Sequence, residues 1–553
     1  MLNLLESSWT DLWNGADAEA SVGVVFTRPE IVSLILDLAG YRVGGARLAE
    51  RRVLEPSCGD GAFLAQVVER LIASEREHGS RLGWNDRVLD NALRAVDISA
   101  PSLQRAKASI VTQLVEAGCP AKRGEALAAT WTVHTDFLLE SWPERFDFVI
   151  GNPPYVRIEE LPRLVLERYR EMFETTTDRA DLYVAFIQKG LELLSPTGVL
   201  AYICANRFAK NKYGTSLRRL ISRQFRVRHY LNLEHTQPFL SDVSAYPAIV
   251  VIDREAGKHT LAGTLDELSA KTLAGVRREA LSSKGRRRVL SRFKTWYPSG
   301  EPWATTSASE LGALQDLVNR FPVLEDSAPG TKVGIGVATG ADKVFVLKEK
   351  PVGVEEDCLL PLLMASDIAN DGLSWSGHYL LNPFAPEDDG SLVSFKDRPG
   401  FAAYMRVHGE ALRARHVAKH RPTSWYRTID RVWPTLVGRP KLVIPDIQGA
   451  ATVGLDEGNY YPHHNVYWVT SDTWDLRALK ALLRSSIVRK QVAAFSVQMR
   501  GGSLRYQAQT LRRLRVPPFD SLANGLSRRL INLSGADDIE ALDRAALEAY
   551  GLA

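Results

Sequence analysis

The stretch VLEPSCGDGAFL, Val53 to Leu64, decides how the first half of this 553-residue chain is read. It opens strand-like, turns at Gly59 and Gly61, and runs on into the amphipathic FLAQVVERLIASERE. Glycines in such a turn let the backbone approach a ligand closely, and the helix that follows presents free N–H groups at its amino end. A turn of this kind fits many nucleotides, and it serves equally to pack a helix on a sheet. A dinucleotide site would read G-x-G-x-x-G, with an acid about 20 residues further on for the ribose. Here the third glycine is missing, and the acid that ends the next strand-like run is Asp97, in RAVDIS.

Outward from that turn, RRVLEPS, LRAVDIS, WTVHTDF, FDFVIGN and GVLAYIC are short runs rich in Val, Ile and aromatics, separated by amphipathic stretches. The alternation predicts an α/β fold, a doubly wound and mostly parallel sheet, with ligands at the carboxyl ends of its strands. RHYLNLE and AIVVIDR are expected to add its last strands near residue 252. Along that edge stand Glu55, Asp97 and Asp136, the last followed by Phe137. A carboxylate just ahead of the glycine turn disfavours a pyrophosphate and suits a cation. A ligand with a sulfonium, an ammonium and a ribose diol but no phosphate matches this pattern, and S-adenosylmethionine is such a ligand. Asp136 is placed to accept from an adenine amino group and Phe137 to cover the ring, although an Asp at a strand end also serves as a plain helix N-cap.

IGNPPYV, Ile150 to Val156, follows the fourth strand at the same edge. Its prolines fix φ near −65° and bias the residues before them to extended geometry, which makes a stiff, projecting turn. Such a turn holds the Asn152 carboxamide oxygen and the Pro153 carbonyl as two acceptors for both hydrogens of an exocyclic NH₂, with Tyr155 offering a ring face. An adenine amine is a poor nucleophile because its lone pair is delocalised. Accepting both N–H bonds localises that pair for an in-line displacement governed by positioning and preorganised dipoles. The plain alternative is a rigid turn with a packing Tyr.

Length bounds the architecture to two or three domains, with 45% apolar residues to fill them. No window approaches the roughly 18 uninterrupted apolar residues of a membrane span, and Met1 to Thr10 lacks the pattern of a secretory signal, so a cytoplasmic location is expected. Cys58, Cys119, Cys204 and Cys358 stand alone, without a C-x-x-C pair or a His cluster at ligand spacing, so neither disulfides nor a metal are indicated. A formal charge of +4 points only weakly to a polyanion partner.

Residues 22 to 252 resemble the amino N6-adenine DNA methyltransferases, the TaqI-type enzymes of the gamma class in particular. Phe26-Thr27-Arg28-Pro29 resembles motif X, whose Thr contacts the cofactor, with Arg28 interposed as a departure. Glu55-Pro56-Ser57-Cys58-Gly59-Asp60-Gly61 resembles motif I; Asp97 and Asp136-Phe137 fall where the ribose and adenine contacts are expected. Asn152 to Tyr155 is similar to motif IV, with Pro154 also near the cofactor. The resemblance implies a Rossmann-like class I fold, S-adenosylmethionine as cofactor, double-stranded DNA as partner, and Phe239 as an aromatic on the far face of an extruded base. It further implies a monomer in a restriction-modification or related defence system, with a possible cognate nuclease encoded separately.

The expected domains are a helical extension over 1–25, the catalytic domain over 22–255, a basic connector over 256–330, a mixed α+β target-recognition domain over 331–520 and a C-terminal helix over 521–553. KVGIGVATGADKVF and RGGSLRYQAQ are similar to the recognition domain of the same family, and Arg427, Arg431 and Arg500 are its first mutagenesis targets. Two alternatives remain open. Release-factor glutamine methyltransferases use the same N-P-P-Y turn but have no need of some 290 residues after it, and a recognition subunit with a vestigial methylase fold would need no chemistry at all.

Overall fold

The computed structural model describes residues 25–552 apart from 79–82, 178, 242–245, 256–258, 283–287, 295–299, 305–307, 326–329, 386–389, 450 and 497–502. Most of the expected N-terminal extension and Arg500 therefore lie outside the described residues. The chain divides into two compact units, one ending at Gly312 and the other beginning at Ala313.

The quoted runs of the first unit become β1 (Val53–Glu55), β2 (Leu93–Asp97), β3 (Thr132–His134), β4 (Phe146–Gly151) and β5 (Leu194–Ala205). They pair in parallel, in the order β3-β2-β1-β4-β5. β4 and β5 read as nearly continuous apolar runs because both faces of a parallel sheet are covered by helices. The helices include α1 (Pro29–Ala39), α2 (Ala62–His78), α3 (Ala100–Glu116), α4 (Ala121–Trp131), α5 (Arg163–Met172), α6 (Tyr183–Glu192), α7 (Thr215–Gln224) and α8 (Ala270–Leu281). β1 lies between β2 and β4, so the chain runs outward in opposite directions from this strand, and a crevice opens at the carboxyl ends of β1 and β4. The glycine turn and the N-P-P-Y turn both leave the sheet at this point.

β6 (Arg226–Asn232) and β7 (Pro247–Asp253) join as expected, with β7 inserted antiparallel between β5 and β6. They are not the last strands. β8 (Thr260–Thr264) and β9 (Ser291–Phe293) extend the sheet to nine, so the segment expected as a connector from 256 belongs in part to the sheet. Its cations are partly structural: Asp37 of α1 accepts from Arg277 Nε at 2.7 Å and from Arg70 at 2.8 Å, which ties α8 and α2 to α1. A short strand interrupted by Gly263 and flanked by charge carries little periodic signal, which is why composition alone reads as linker. No described helix is long and apolar enough to cross a membrane.

The second unit holds β10 (Thr331–Ile335), β11 (Val346–Leu347), β12 (Leu359–Leu363), β13 (Tyr379–Leu381), β14 (Lys441–Pro445), β15 (Ile447–Gln448), β16 (Gly454–Asp456), β17 (Tyr461–Pro462) and β18 (Val466–Ser471). One sheet has the order β10-β18-β14-β16 and a second β11-β13-β12-β17. Its helices include α9 (Leu476–Arg484), α10 (Ser486–Phe495), α11 (Asn524–Leu533) and α12 (Ile539–Ala549), so the segment expected as one C-terminal helix is two. Gly535 and the capping Asp538, which accepts from Ala541 N at 2.8 Å, separate them.

Lys441 and Asp456 face each other across β14 and β16, 2.6 Å apart and fully buried. Lys441→Met leaves the buried Asp456 carboxylate with only the backbone N–H groups of Gly458, Asn459 and Tyr460 and no countercharge, and we expect a loss of about 3 kcal/mol of stability in denaturant unfolding of this unit. An unfolding midpoint equal to that of wild type would contradict this.

Candidate active site

Gly59 and Gly61 have φ of +50° and +92°, so the chain reverses where a side chain would be strained. At Gly61 an added Cβ would also stand 3.3 Å from Ala106 Cβ of α3. Asp97 holds the turn from the neighbouring strand. Its Oδ2 accepts from Gly59 N at 2.7 Å and its Oδ1 from Ser99 N at 2.8 Å, leaving each oxygen one further lone pair. Burial raises the Asp97 pKa, opposed by those backbone bonds. Glu55 is 2% exposed, and its Oε2 has no hydrogen-bond partner. Burial first, and the Asp97 charge second, push its carboxyl well above the usual carboxylate range. Cys58 in the same turn is buried against the core, and burial pushes its thiol well above its ordinary value.

Asn152 is anchored at one end only. Its Nδ2 donates to Val25 O at 2.8 Å and lies 3.4 Å from Thr27 Oγ1, while its Oδ1 is buried without a partner. The amide nitrogen is committed to the N-terminal segment, so the end left unsatisfied is an acceptor. Ser57 Oγ, from the glycine turn, donates to Asn152 O at 3.2 Å and couples the two turns. Pro153 is buried and Pro154 half-buried beside it.

The far side of the site differs from expectation. Thr27 and Phe239 form an antiparallel bridge, Arg28 N donates to Pro238 O at 2.9 Å, and Leu240 N donates to Phe26 O at 2.9 Å. Arg28 Nε also donates to Phe239 O at 3.3 Å, which gives the interposed residue a role as a clasp. Phe239 is thereby drawn into the core, 1% exposed, with its ring edge-on to Tyr155 at 6.0 Å between centroids. It presents no open face opposite Tyr155, because the strand-like pairing with 26–28 pulls the ring inward. Thr27, 3% exposed, supports Asn152 in this arrangement.

Asp136 and Phe137 are likewise committed to the fold. Asp136 Oδ1 accepts from Leu138 N at 2.8 Å, as an ordinary turn cap, and its Oδ2 accepts from Tyr169 Oη at 2.6 Å. Phe137 is 2% exposed against Phe186 at 5.2 Å, with Lys189 over its ring, and burial pushes that lysine down to about 8. Tyr169 and Phe186 were not foreseen; the only trace of Tyr169 is its spacing from Val165, the two buried positions of α5. Asn206, beyond β5, was also missed; it donates to Asn232 Oδ1 at 3.0 Å and Glu234 Oε2 at 2.8 Å at this same edge. In the second unit Arg427 lies over Phe384 and Arg431 stacks on Trp433 at 3.6 Å.

The Eco57I restriction-modification methylase family matches residues 91–239. The Type II methyltransferase M.XhoI of Xanthomonas vasicola is 42% identical over 535 residues, covering 96% of this chain and 97% of that protein. This chain is a Type II restriction-modification methyltransferase. M.PaeR7I of Pseudomonas aeruginosa is also 42% identical over 535 residues, covering 96% of this chain and 92% of the relative. The methyltransferase has the motif order of the gamma class of DNA methyltransferases, with 26–29 ahead of 55–61 and 152–155 and the second unit after them. Among solved structures, the Type IIL restriction-modification enzyme MmeI in complex with DNA aligns with a TM-score of 0.55 at 12% identity, covering 99% of this chain and 76% of that one, a likeness of fold.

Proposed function

We propose that this methyltransferase transfers a methyl group from S-adenosylmethionine to the exocyclic N6 amine of an adenine swung out of a short, specific duplex DNA sequence. The observation that carries the reading is Asn152 Oδ1, a buried acceptor without a partner, aimed by an amide whose other end is anchored on Val25. A buried unsatisfied oxygen costs about 1–3 kcal/mol, which a donor brought by substrate relieves. An amine whose N–H bonds are accepted there has its lone pair freed from the ring, and the site needs no general base.

The residues fit the cofactor. S-adenosylmethionine when bound supplies an electrophilic methyl on a sulfonium. The Glu55 carboxylate, whose Oε2 has no partner, suits its positive charge, the remaining lone pairs of Asp97 suit a ribose diol, and the glycine turn admits close approach. Asp136 and Phe137 shape the neighbouring wall. Tyr155 is the stacking residue for the extruded base, and Phe239 locks 26–28 against it; extrusion itself costs a few kcal/mol, which protein contacts offset. The protein acts as a monomer, with a separate nuclease as its counterpart, and the second unit reads the duplex.

Genomic DNA from a host expressing the chain, sequenced with separate readouts for N6-methyladenine and N4-methylcytosine, tests this. One short motif carrying N6-methyladenine is expected. Methylcytosine, or unmodified DNA beside a methylated host protein, would refute it. Tyr155 supplies a finer check. Its hydroxyl is buried without a partner, so Tyr155→Phe keeps the ring and removes an unsatisfied group. We expect methyl transfer within about three-fold of wild type and a higher melting temperature, since such groups cost about 1–3 kcal/mol. Tyr155→Ala is expected to be inactive; a fall on Tyr155→Phe as deep as on Tyr155→Ala would show that the hydroxyl and not the ring face matters.

A further inference from the structure

Outside the methyl-transfer site, the tightest cluster of ligand-type side chains among the described residues lies in the second unit. The loop after β10 comes back to the turn between β17 and β18: Gly336 N donates to Val466 O at 2.9 Å and Val337 N to Pro462 O at 3.1 Å. Gly336 permits the approach, since a Cβ there would stand 2.1 Å from His463 O. This brings Asp342 to His463 and His464 across more than a hundred residues of chain. Asp342 Oδ2 is 3.5 Å from His463 Nε2, which is 3.0 Å from His464 Nδ1, and the three atoms all lie within 4.8 Å of one another.

The two shorter separations, 3.5 and 3.0 Å, are close to the edge of a tetrahedral coordination shell. Nitrogen and oxygen ligands about 2.0–2.1 Å from a tetrahedral zinc ion stand roughly 3.3 Å apart. The atoms that would not ligate are held from behind. His463 Nδ1 is 2.9 Å from Asn465 Oδ1, so its Nδ1–H donates there and Nε2 is left as an electron pair, while Asp342 Oδ1 accepts from Thr339 Oγ1. Fixing the second atom of a ligand, as here for His463 and Asp342, is what metal sites require of their surroundings. The His463 side chain is more than nine-tenths buried, and the Asp430 and Asp446 carboxylates add negative potential at His464.

We propose that Asp342, His463 and His464 bind a divalent borderline cation of the zinc class, with solvent in the remaining position, and that the ion clamps the 336–342 loop to the 461–466 turn. Two imidazoles and a carboxylate favour zinc, cobalt or nickel over magnesium or calcium. The competing arrangement is a plain hydrogen bond from His464 Nδ1–H to His463 Nε2.

The full chain, produced without a polyhistidine tag and stripped with chelator, is titrated with Co²⁺ and with Zn²⁺. One equivalent of cobalt giving the visible bands of a tetrahedral site, displaced by zinc, is expected, together with a higher melting temperature in zinc. His464→Gln, which can still donate to His463, and Asp342→Asn are expected to weaken binding on the order of 100-fold. His416→Ala removes half of the exposed His416–His420 pair, whose Nε2 atoms are 3.0 Å apart, and is expected to leave the site intact. Absence of a stoichiometric site, or a site lost with His416→Ala and retained with His464→Gln, would overturn the proposal.

Discussion

Replacing Asn152 by Ala is expected to leave cofactor binding within about three-fold of wild type and to lower single-turnover methyl transfer by at least about 100-fold, the scale of removing one preorganised polar group from a reacting centre. The reason lies in the division of labour within one side chain. Nδ2 is committed to Val25 O, so what alanine removes from the substrate side is the buried Oδ1 alone. Cofactor contacts assigned to Glu55 and Asp97 do not pass through that oxygen. Asn152→Asp preserves an acceptor but turns a second oxygen on the Val25 carbonyl. It is expected to fall between wild type and the alanine variant, with a lower melting temperature than either. Transfer of labelled methyl groups by the alanine variant within about ten-fold of wild type, roughly a tenth of the expected loss, would remove Asn152 from the chemistry.

Glu55→Gln is expected to move stability and binding in opposite directions. In the folded protein burial holds the Glu55 carboxyl well above its usual range, so the folded state binds the proton more tightly than the unfolded chain does. The stability this contributes is fully present below the unfolded pKa and is lost as pH rises through the raised folded value. Near neutral pH the wild type therefore carries a penalty that glutamine, which does not ionise, avoids. The ligand-free variant is expected to be more stable by about 1 kcal/mol at neutral pH, with the advantage shrinking towards mildly acidic pH. S-adenosylmethionine affinity is expected to fall at least about ten-fold, the scale of 1.4 kcal/mol. Wild-type affinity is expected to rise with pH as the carboxylate ionises against the sulfonium, and the variant's to stay flat. Calorimetry across pH checks both, and a variant no more stable than wild type with undiminished cofactor affinity would exclude the role given to Glu55. A functional residue that costs stability is the usual mark of a binding site.

How far the site was legible in the sequence differs from residue to residue. Glu55, Asp97 and Asn152 were placed on one edge because strand ends follow from local apolar runs and because parallel strands align their carboxyl ends. Phe137 and Phe239 are of the residue type that covers a base, and composition cannot tell such a ring from one that fills a core. Burial of 1–2% and edge-to-face packing are properties of neighbours far along the chain. The expected basic connector after residue 255 shows the same limit from the other side: its Arg277 donates to Asp37, 240 residues away, a pairing that no local run of charge announces.

Read alone, the order of residues settled the alternation of strands and helices, the two stiff turns and their shared edge, since each depends on neighbours within a few positions: glycines that tolerate positive φ, prolines that lock φ, and apolar side chains recurring with the period of a strand or a helix. Folding alone decided which end of Asn152 is left over, because its partner Val25 lies 127 residues away. It also decided that Phe239 turns inward and that Asp342 meets the His463–His464 pair. Contacts across such distances depend on chain closure and packing summed over the whole unit, and no local pattern of residues carries that sum.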